Sequence, residues 1–194
     1  MDIGNNRTGI ILAGGKSSRM QTDKGLLPLG DDTFVSHILK AMQPFVNEVL
    51  IVTSNLQYDA FGHKRVEDHF RGLGPVSGLY TGLYHSQTEE NLVVSCDVPF
   101  ITPQVFSYLF EHAEKTAAVN LLESSGNTMP LIALYQKRCL PFCLEQINKR
   151  ELAMHQLISK LESHIIPLEE ALALYVRNIN TREEFEKIQH EIAH

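Results

Sequence analysis

The sequence predicts an α/β protein, a three-layer α/β/α sandwich whose mostly parallel sheet is Rossmann-like in its first half. Short apolar runs without alternation, typical of buried parallel strands, are separated by longer segments with helical spacing of apolar residues. Strand and helix patterns alternate along residues 1–115, an order that favours right-handed crossovers with helices on both faces. No repeat or low-complexity linker interrupts the 194 residues, so we expect a single domain over 1–194.

The first half of the chain predicts three strands and three helices in alternation. The strands are β-branched and apolar runs at 8–12, 48–53 and 91–96. The helices are 34–42, 75–85 and 102–115. Pro103 fits the first turn of the third helix, and Thr102 is placed to cap it through its side chain.

The second half predicts a looser arrangement. Two strands, 117–122 and 131–135, are separated by the turn-forming residues 124–127. The segments that follow are helices at 140–147 and 152–161, strands at 164–168 and 175–179, and a final helix from residue 181. Thr181 and Glu184, three residues apart, predict a capping box at the start of that helix.

Charge, hydropathy and cysteine content argue against nucleic-acid binding, a membrane span and secretion. Acidic residues outnumber basic residues by 23 to 17, which argues against a nucleic-acid partner. No apolar run approaches the roughly 18 residues that a membrane span requires, and the first seven residues are too polar for a secretory signal. The three cysteines show no C-x-x-C pairing and fit a reducing compartment. We therefore expect a cytoplasmic protein with no membrane contact.

The strongest functional pattern follows directly on the first strand, in the segment LAGGKSSRMQTDK at 12–24. Ligands of open α/β sheets bind at the carboxyl ends of the strands. Gly14 and Gly15 lack a Cβ, so their N–H groups can approach phosphate oxygens. Lys16, Arg19 and Lys24 add three cations to the same loop. The spacing matches neither the Walker A motif nor G-x-G-x-x-G, but its chemistry predicts a polyphosphate site.

Asp97 follows the third strand and precedes Val98 and Pro99. A lone carboxylate in this position suits Mg²⁺, which prefers one or two carboxylates together with phosphate oxygens and water. The alternative is a cap for the helix that begins near Thr102. Since Thr102 itself has the side chain of a good cap, we favour the metal role for Asp97.

These motifs resemble the MobA-like nucleotidyltransferases, the molybdenum cofactor guanylyltransferases. The family signature L-A-G-G-x-S-x-R-M, followed by D-K, is present at 12–24. Further matches occur in family order and cover nearly the whole chain: Asn55 after the second strand, V-E-D at 66–68, G-P-V-S-G at 74–78, C-D-V-P-F at 96–100 and N-I-N-T at 178–181. The resemblance implies the nucleotide-diphospho-sugar transferase type of fold.

The resemblance also implies roles for individual residues. Read alone, Asp68 would be a solvated loop charge, but in the family pattern Asp68 and Asn55 help to hold the nucleotide. Residue patterns and resemblance together place Arg19, Lys24 and Asp97 in catalysis, with Asp97 holding Mg²⁺. The nucleotide-binding residues are then Leu12, Ala13, Gly14, Gly15, Lys24, Asn55, Asp68 and Asp97.

The implied reaction is transfer of GMP from GTP to a molybdopterin-type acceptor, with release of pyrophosphate. Residues 1–115 would bind the nucleotide and 116–194 the acceptor, with Arg150, Arg177 and Arg182 as unranked candidates to attract it. Partners implied by the family are proteins that deliver the cofactor or insert molybdenum.

Several alternatives stay open at this point. Gln21 stands where the family usually has glycine, and Met129 stands before Pro130 where relatives more often have His or Arg. Gly15 goes with guanine preference, whereas cytidylyltransferase relatives tend to show L-A-A-G. A sugar phosphate or phospholactate acceptor, use of CTP, and a non-catalytic nucleotide-binding accessory role remain possible. Asn180 fits either a metal or phosphate contact or a simple turn.

Overall fold

A computed structural model describes residues 6–14 and 23–193. The strands are β1 (Arg7–Leu12), β2 (Pro28–Leu29), β3 (Asp32–Thr33), β4 (Glu48–Val52), β5 (Lys64–Val66), β6 (Glu90–Ser95), β7 (Val119–Ser124), β8 (Asn127–Gln136) and β9 (Ser163–Pro167). The α-helices are α1 (Phe34–Met42), α2 (Pro75–His85), α3 (Pro103–Glu111), α4 (Leu140–Lys149), α5 (Met154–Ile158) and α6 (Arg182–Ala193). Within these ranges no helix has both the length and the apolar character that a membrane crossing needs.

Seven strands form one sheet in the order β5-β4-β1-β6-β8-β7-β9, and β2 and β3 form a separate antiparallel ribbon. Only β8 within the seven-stranded sheet runs against its neighbours; the remaining pairings are parallel. From β1 the chain moves outward to β4 and β5 and then returns to the other side of β1 with β6. This reversal of direction opens a crevice at the carboxyl ends of β1 and β6, where such sheets bind ligands. The predicted α/β class is confirmed.

Helices cover both faces of the sheet and bury its apolar side chains. On one face α1 and α3 pack on β1, β4 and β6, with Ile38 and Phe106 fully buried against Ile11. On the opposite face α2, α4 and α5 cover the alternate side chains of the sheet, including those of β7 and β8, with Leu79 fully buried in the cluster around Ile10. The alternation of side chains across a strand accounts for the two separate clusters.

A third, smaller cluster fastens the end of the chain to the β2–β3 ribbon. Phe34 and Ile179 are its most buried members, joined by Leu29 and by Ile188 of α6. The Phe185 ring of α6 lies with its centroid 5.5 Å from that of Phe34. Because these residues come from both ends of the sequence, α6 holds the segment after the glycine loop in place.

Two predicted element bounds from the sequence are wrong. Residues 175–179 form no strand; a 3-10 helix spans Glu170–Val176, and Ile179 then donates its backbone N–H to the carbonyl of Asp97 at 2.7 Å. Val176 and Ile179 are buried as the pattern suggested, but the segment crosses the carboxyl edge of the sheet instead of extending it. The third helix ends at Glu111, short of residue 115.

The two predicted helix caps have different outcomes. Thr102 occupies the N-cap position of α3, but its side chain makes no capping hydrogen bond, so that prediction is wrong. Its backbone carbonyl accepts from the N–H of Val105 at 3.1 Å instead, which closes the first turn without the hydroxyl. The capping box of α6 is confirmed: Glu184 N–H donates to Thr181 Oγ1, and Thr181 N–H donates to Glu184 Oε2, both at 3.1 Å.

Candidate active site

A cavity of about 700 Å³ opens at the carboxyl ends of four neighbouring strands, β5, β4, β1 and β6. Each strand contributes the residues that follow it, so the cavity joins segments that are far apart in the sequence. The lining includes Leu12, Ala13, Gly14, Asp23, Lys24, Thr53, Ser54, Asp68, Arg71, Gly72, Gly74, Ser95, Cys96, Asp97, Leu131 and Asn180.

The start of the glycine loop is fixed between two strands. Ala13 N–H donates to the Val52 carbonyl at 3.1 Å, and the Leu12 carbonyl accepts from Cys96 N–H at 3.0 Å. Leu12 and Ala13 are buried, whereas Gly14 is exposed in the cavity. The backbone at Gly14 is thus available to a ligand. The predicted roles of Gly15, Lys16, Arg19 and Gln21 fall outside the described residues.

Lys24 lies in a turn that Asp23 organises. Asp23 Oδ1 accepts from Gly25 N–H at 3.2 Å and from the Tyr58 hydroxyl at 2.5 Å, and its Oδ2 accepts from Asn55 Nδ2 at 2.9 Å. Tyr58 has no exposed surface. Burial in the first place, followed by the nearby Cys96 and Asp23, raises the pKa of Tyr58 far above its usual value, so the hydroxyl stays a donor.

Gly25 is required by this arrangement because the Tyr58 side chain packs directly on its Cα. A Cβ at residue 25 would lie 2.2 Å from the Tyr58 hydroxyl oxygen. Asn55 caps the 3-10 helix Leu56–Phe61, which carries Tyr58, and does not itself line the cavity. Its contact with Asp23 makes it a support for the Lys24 turn.

The segment before α6 contacts the Lys24 turn. Lys24 Nζ donates to Asn180 Oδ1 at 2.7 Å across 156 residues of sequence. Asn180 N–H donates in turn to Glu184 Oε2 at 2.6 Å, which connects this contact to the start of α6. Ile179 and Asn180 thus connect Lys24 and Asp97, since Ile179 bonds to the Asp97 carbonyl and Asn180 bonds to Lys24.

Asp97 follows β6 and is half-buried at the cavity wall. The hydroxyl of Ser95 donates to Asp97 Oδ1 and orients the carboxylate. Its neighbour Cys96 is not an activated nucleophile, because burial, with the charges of Asp97 and Asp23 adding to it, raises the pKa of that thiol to about 12.

The donor set around Asp97 fits Mg²⁺. Among the described residues no three His, Cys, Asp or Glu side chains converge on one point, so a purely protein-made metal cage is absent there. Mg²⁺ does not need such a cage, since it is commonly bound by one or two carboxylates plus substrate phosphates and water. Asp97 presents a carboxylate, a hard oxygen donor of this kind, at the wall of the cavity.

Asp68 is held more firmly than a solvated loop charge would be. Its Oδ1 accepts from Phe70 N–H at 3.0 Å, from Thr81 Oγ1 at 3.2 Å and from the Ser77 hydroxyl. Two of these donors belong to α2, so the helix fixes the carboxylate at the cavity wall. Oδ2 accepts no hydrogen bond from the described residues.

Sequence reasoning missed three residues of this site and proposed four that do not line the cavity, Asn55 and three arginines. The missed residues are Asp23, Tyr58 and Arg71; Asp23 had a signal in the D-K motif, whereas the other two have none that a single sequence shows. Arg71 lies in the cavity wall and is 72% exposed. The three arginines proposed for the acceptor do not line the cavity: Arg150, Arg177 and Arg182.

Comparisons with known proteins identify the family of this chain. Residues 9–165 match the MobA-like NTP transferase domain family. The chain is 36% identical over 177 residues to a probable molybdenum cofactor guanylyltransferase of Flavobacterium johnsoniae, with 91% of this chain and 93% of the relative covered. A protein of Carboxydothermus hydrogenoformans with the same name is 30% identical over 188 residues, covering 94% and 95% of the two chains.

Solved structures show the same fold. Molybdopterin-guanine dinucleotide biosynthesis protein A from Archaeoglobus fulgidus superposes with a TM-score of 0.80 at 19% identity, covering 96% of this chain and 98% of that one. The 4-diphosphocytidyl-2C-methyl-D-erythritol synthase of Anaerococcus prevotii gives a TM-score of 0.75 at 14% identity, covering 98% of this chain and 97% of that one. With the family match over most of its length, the chain belongs to the MobA-like NTP transferase domain family.

Proposed function

We propose that this nucleotidyltransferase transfers GMP from GTP to a molybdopterin-type acceptor and releases pyrophosphate. The observation that carries the proposal is the convergence of Gly14, Lys24, Asp68 and Asp97 on one cavity at the strand ends. The names of the relatives from Flavobacterium johnsoniae and Carboxydothermus hydrogenoformans support the choice of acceptor and nucleotide. The three cysteines, none in a disulfide, support a cytoplasmic location for the reaction.

The charges that line the cavity indicate that a triphosphate needs additional cations to bind there. Its described lining holds two cations, Lys24 and Arg71, against three carboxylates, Asp23, Asp68 and Asp97. A triphosphate entering this surface would be repelled unless further positive charge is supplied. The sequence provides Lys16 and Arg19 on the glycine loop, and Asp97 provides a ligand for a divalent ion.

The residues of the site would act by placement and charge. The Gly14 backbone and the Lys24 ammonium would hold the triphosphate in line for attack, and the Asp23–Tyr58 contact would keep Lys24 in position. Mg²⁺ on Asp97, when bound, would stabilise negative charge on the phosphate oxygens.

The reaction requires no strong general base. A phosphate oxygen of the acceptor, already ionised at neutral pH, would attack the α-phosphorus of GTP, and the bond to the bridging oxygen of the β-phosphate would break as pyrophosphate leaves. In agreement with this, the cavity wall holds no histidine among the described residues, and its one cysteine has a raised pKa. Cations that screen the two anionic reactants are the main requirement.

A product assay tests the proposal. The purified chain is incubated with α-labelled GTP, Mg²⁺ and molybdenum-loaded molybdopterin, and the dinucleotide and pyrophosphate are measured together. We expect equal amounts of the dinucleotide and of pyrophosphate. Replacing GTP by CTP, or the molybdopterin by a sugar phosphate, should give far less product. GTP binding with no pyrophosphate in the presence of the acceptor would contradict the proposal and favour a non-catalytic accessory role.

A further inference from the structure

The sheet sets a distance between the two ends of the cavity. Asp97 follows β6 and Asp68 follows β5, and these strands are three places apart in the sheet. With about 4.8 Å between neighbouring strands, the two carboxylates are separated by roughly 14 Å along the strand ends. If the phosphates lie near Gly14, Lys24 and Asp97, the nucleoside must extend toward Asp68, and its base lies at the β5 end.

At that end Asp68 is a fixed acceptor. Three donors hold its Oδ1, while Oδ2 is left without a hydrogen bond from the described residues. A half-buried carboxylate with one open oxygen suits a ligand that offers N–H donors.

Arg71 supplies donors beside this acceptor. Its Nη2 pairs with Glu67, which also lies 3.8 Å from Arg65 Nη1, and Arg65 Nε pairs with Asp59 at 2.7 Å. This row of alternating charges anchors one corner of the Arg71 guanidinium. Within the described residues only one of its five N–H donors, on Nη2, makes a hydrogen bond. The second N–H of Nη2 can therefore pair with a neighbouring N–H on Nη1 or Nε and present a two-donor edge to a ligand.

Two glycines between Arg71 and α2 leave part of the cavity wall without side chains. Gly72 and Gly74 both line the cavity, with φ of +79° and +73°, and a Cβ built on either would meet no atom within 4 Å. Open space therefore lies beside this backbone, in the same cavity that Arg71 and Asp68 line.

We propose that Arg71 is a specificity-determining residue that donates hydrogen bonds to O6 and N7 of guanine, while Asp68 Oδ2 accepts from its N1–H and 2-amino group. This inference rests on the proposed use of GTP. Arginine pairs with O6 and N7 of guanine through its planar fork, whereas adenine presents a donor at position 6 that would face the donors of Arg71. Cytosine lacks the N7 acceptor altogether.

Equilibrium binding to the full chain with Mg²⁺ and without acceptor tests this assignment. Calorimetry compares GTP, 7-deaza-GTP and ATP for the unsubstituted chain, Arg71→Ala and Arg71→Lys. Lys149→Ala is the matched control, because Lys149 also makes an exposed i,i+4 ion pair, with Glu145, away from the cavity. Since Arg71 is a surface ion-pair residue, we expect all variants to fold, as thermal melting will show.

We expect Arg71→Ala to weaken GTP binding about 5- to 150-fold, and Arg71→Lys to weaken it as well because the fork is lost. 7-deaza-GTP should bind the unsubstituted chain more weakly than GTP, but the two should bind Arg71→Ala equally. Equal weakening of all three nucleotides by Arg71→Ala would show that Arg71 contacts phosphate or ribose and would overturn the assignment. If the unsubstituted chain itself fails to prefer GTP, the proposed function fails; a preference that survives Arg71→Ala refutes the role of Arg71 alone.

Discussion

Replacing Tyr58 by phenylalanine tests whether the turn at Lys24 is held from inside the core. The substitution removes one hydroxyl from a fully buried side chain and leaves the ring in place. The lost hydrogen bond, 2.5 Å long, runs to the Asp23 carboxylate, and bonds to charged groups contribute about 1.5–3 kcal/mol. Asp23 keeps Gly25 N–H and Asn55 Nδ2 as donors, so we expect a loss of about 2 kcal/mol in the free energy of unfolding.

Urea denaturation and steady-state kinetics measure the two consequences. With an m value of about 2 kcal/mol/M, the unfolding midpoint should fall by roughly 1 M. Because Lys24 follows Asp23 directly, we also expect kcat for guanylyl transfer to fall about tenfold or more. Tyr108→Phe is the control, since its hydroxyl donates to the Pro167 carbonyl at 2.9 Å, outside the cavity. A Tyr58→Phe variant with unchanged kcat and unchanged stability would refute the supporting role of Tyr58.

Three further predictions concern charged groups. Lys24→Ala should keep the free energy of unfolding within about 1 kcal/mol of the unsubstituted chain but lower the rate of product formation about 100-fold or more. The control Lys40→Ala removes only an exposed ion pair with Asp32 and should change neither the stability nor the rate. Asp97→Asn should lower Mg²⁺-dependent transfer by at least about 100-fold, because it removes the carboxylate ligand; an unchanged Mg²⁺ titration of activity would count against Asp97. Burial, followed by His69 and Lys64, lowers the pKa of His85, so the unfolded chain binds the proton more readily. The chain therefore keeps its full stability from neutral His85 above about pH 6.5 and should lose it as the pH falls below that value. The urea midpoint of His85→Gln should fall less steeply with decreasing pH than that of the unsubstituted chain. Equal dependence of the two midpoints on pH would exclude this contribution.

The sequence predicted the central strands because their apolar runs are long and buried on both sides. The runs that became β1, β4 and β6 were recognisable in this way. The ribbon strands β2 and β3 have two residues each, too few to show any period. Nor does an apolar run reveal direction, so the antiparallel placement of β8 between β6 and β7 depends on long-range pairing.

Some residues of the site could also be predicted from the sequence, and others could not. Gly14, Lys24 and Asp97 were identified because small, basic and acidic residues directly follow or lie close to predicted strand ends. Tyr58 and Arg71 act through contacts made only after folding: the Tyr58 hydroxyl meets a carboxylate 35 residues away, and Arg71 reaches the cavity on a glycine turn. Such contacts leave no period or motif in a single sequence.

The most direct test of the account is a crystal structure of the chain with GTP and Mg²⁺. We predict that the triphosphate lies against the Gly14 backbone within hydrogen-bond reach of Lys24 Nζ, with the metal ion bound to Asp97 and the guanine beside Asp68. A triphosphate bound away from the carboxyl ends of β1 and β6, or a metal ion that does not contact Asp97, would contradict it.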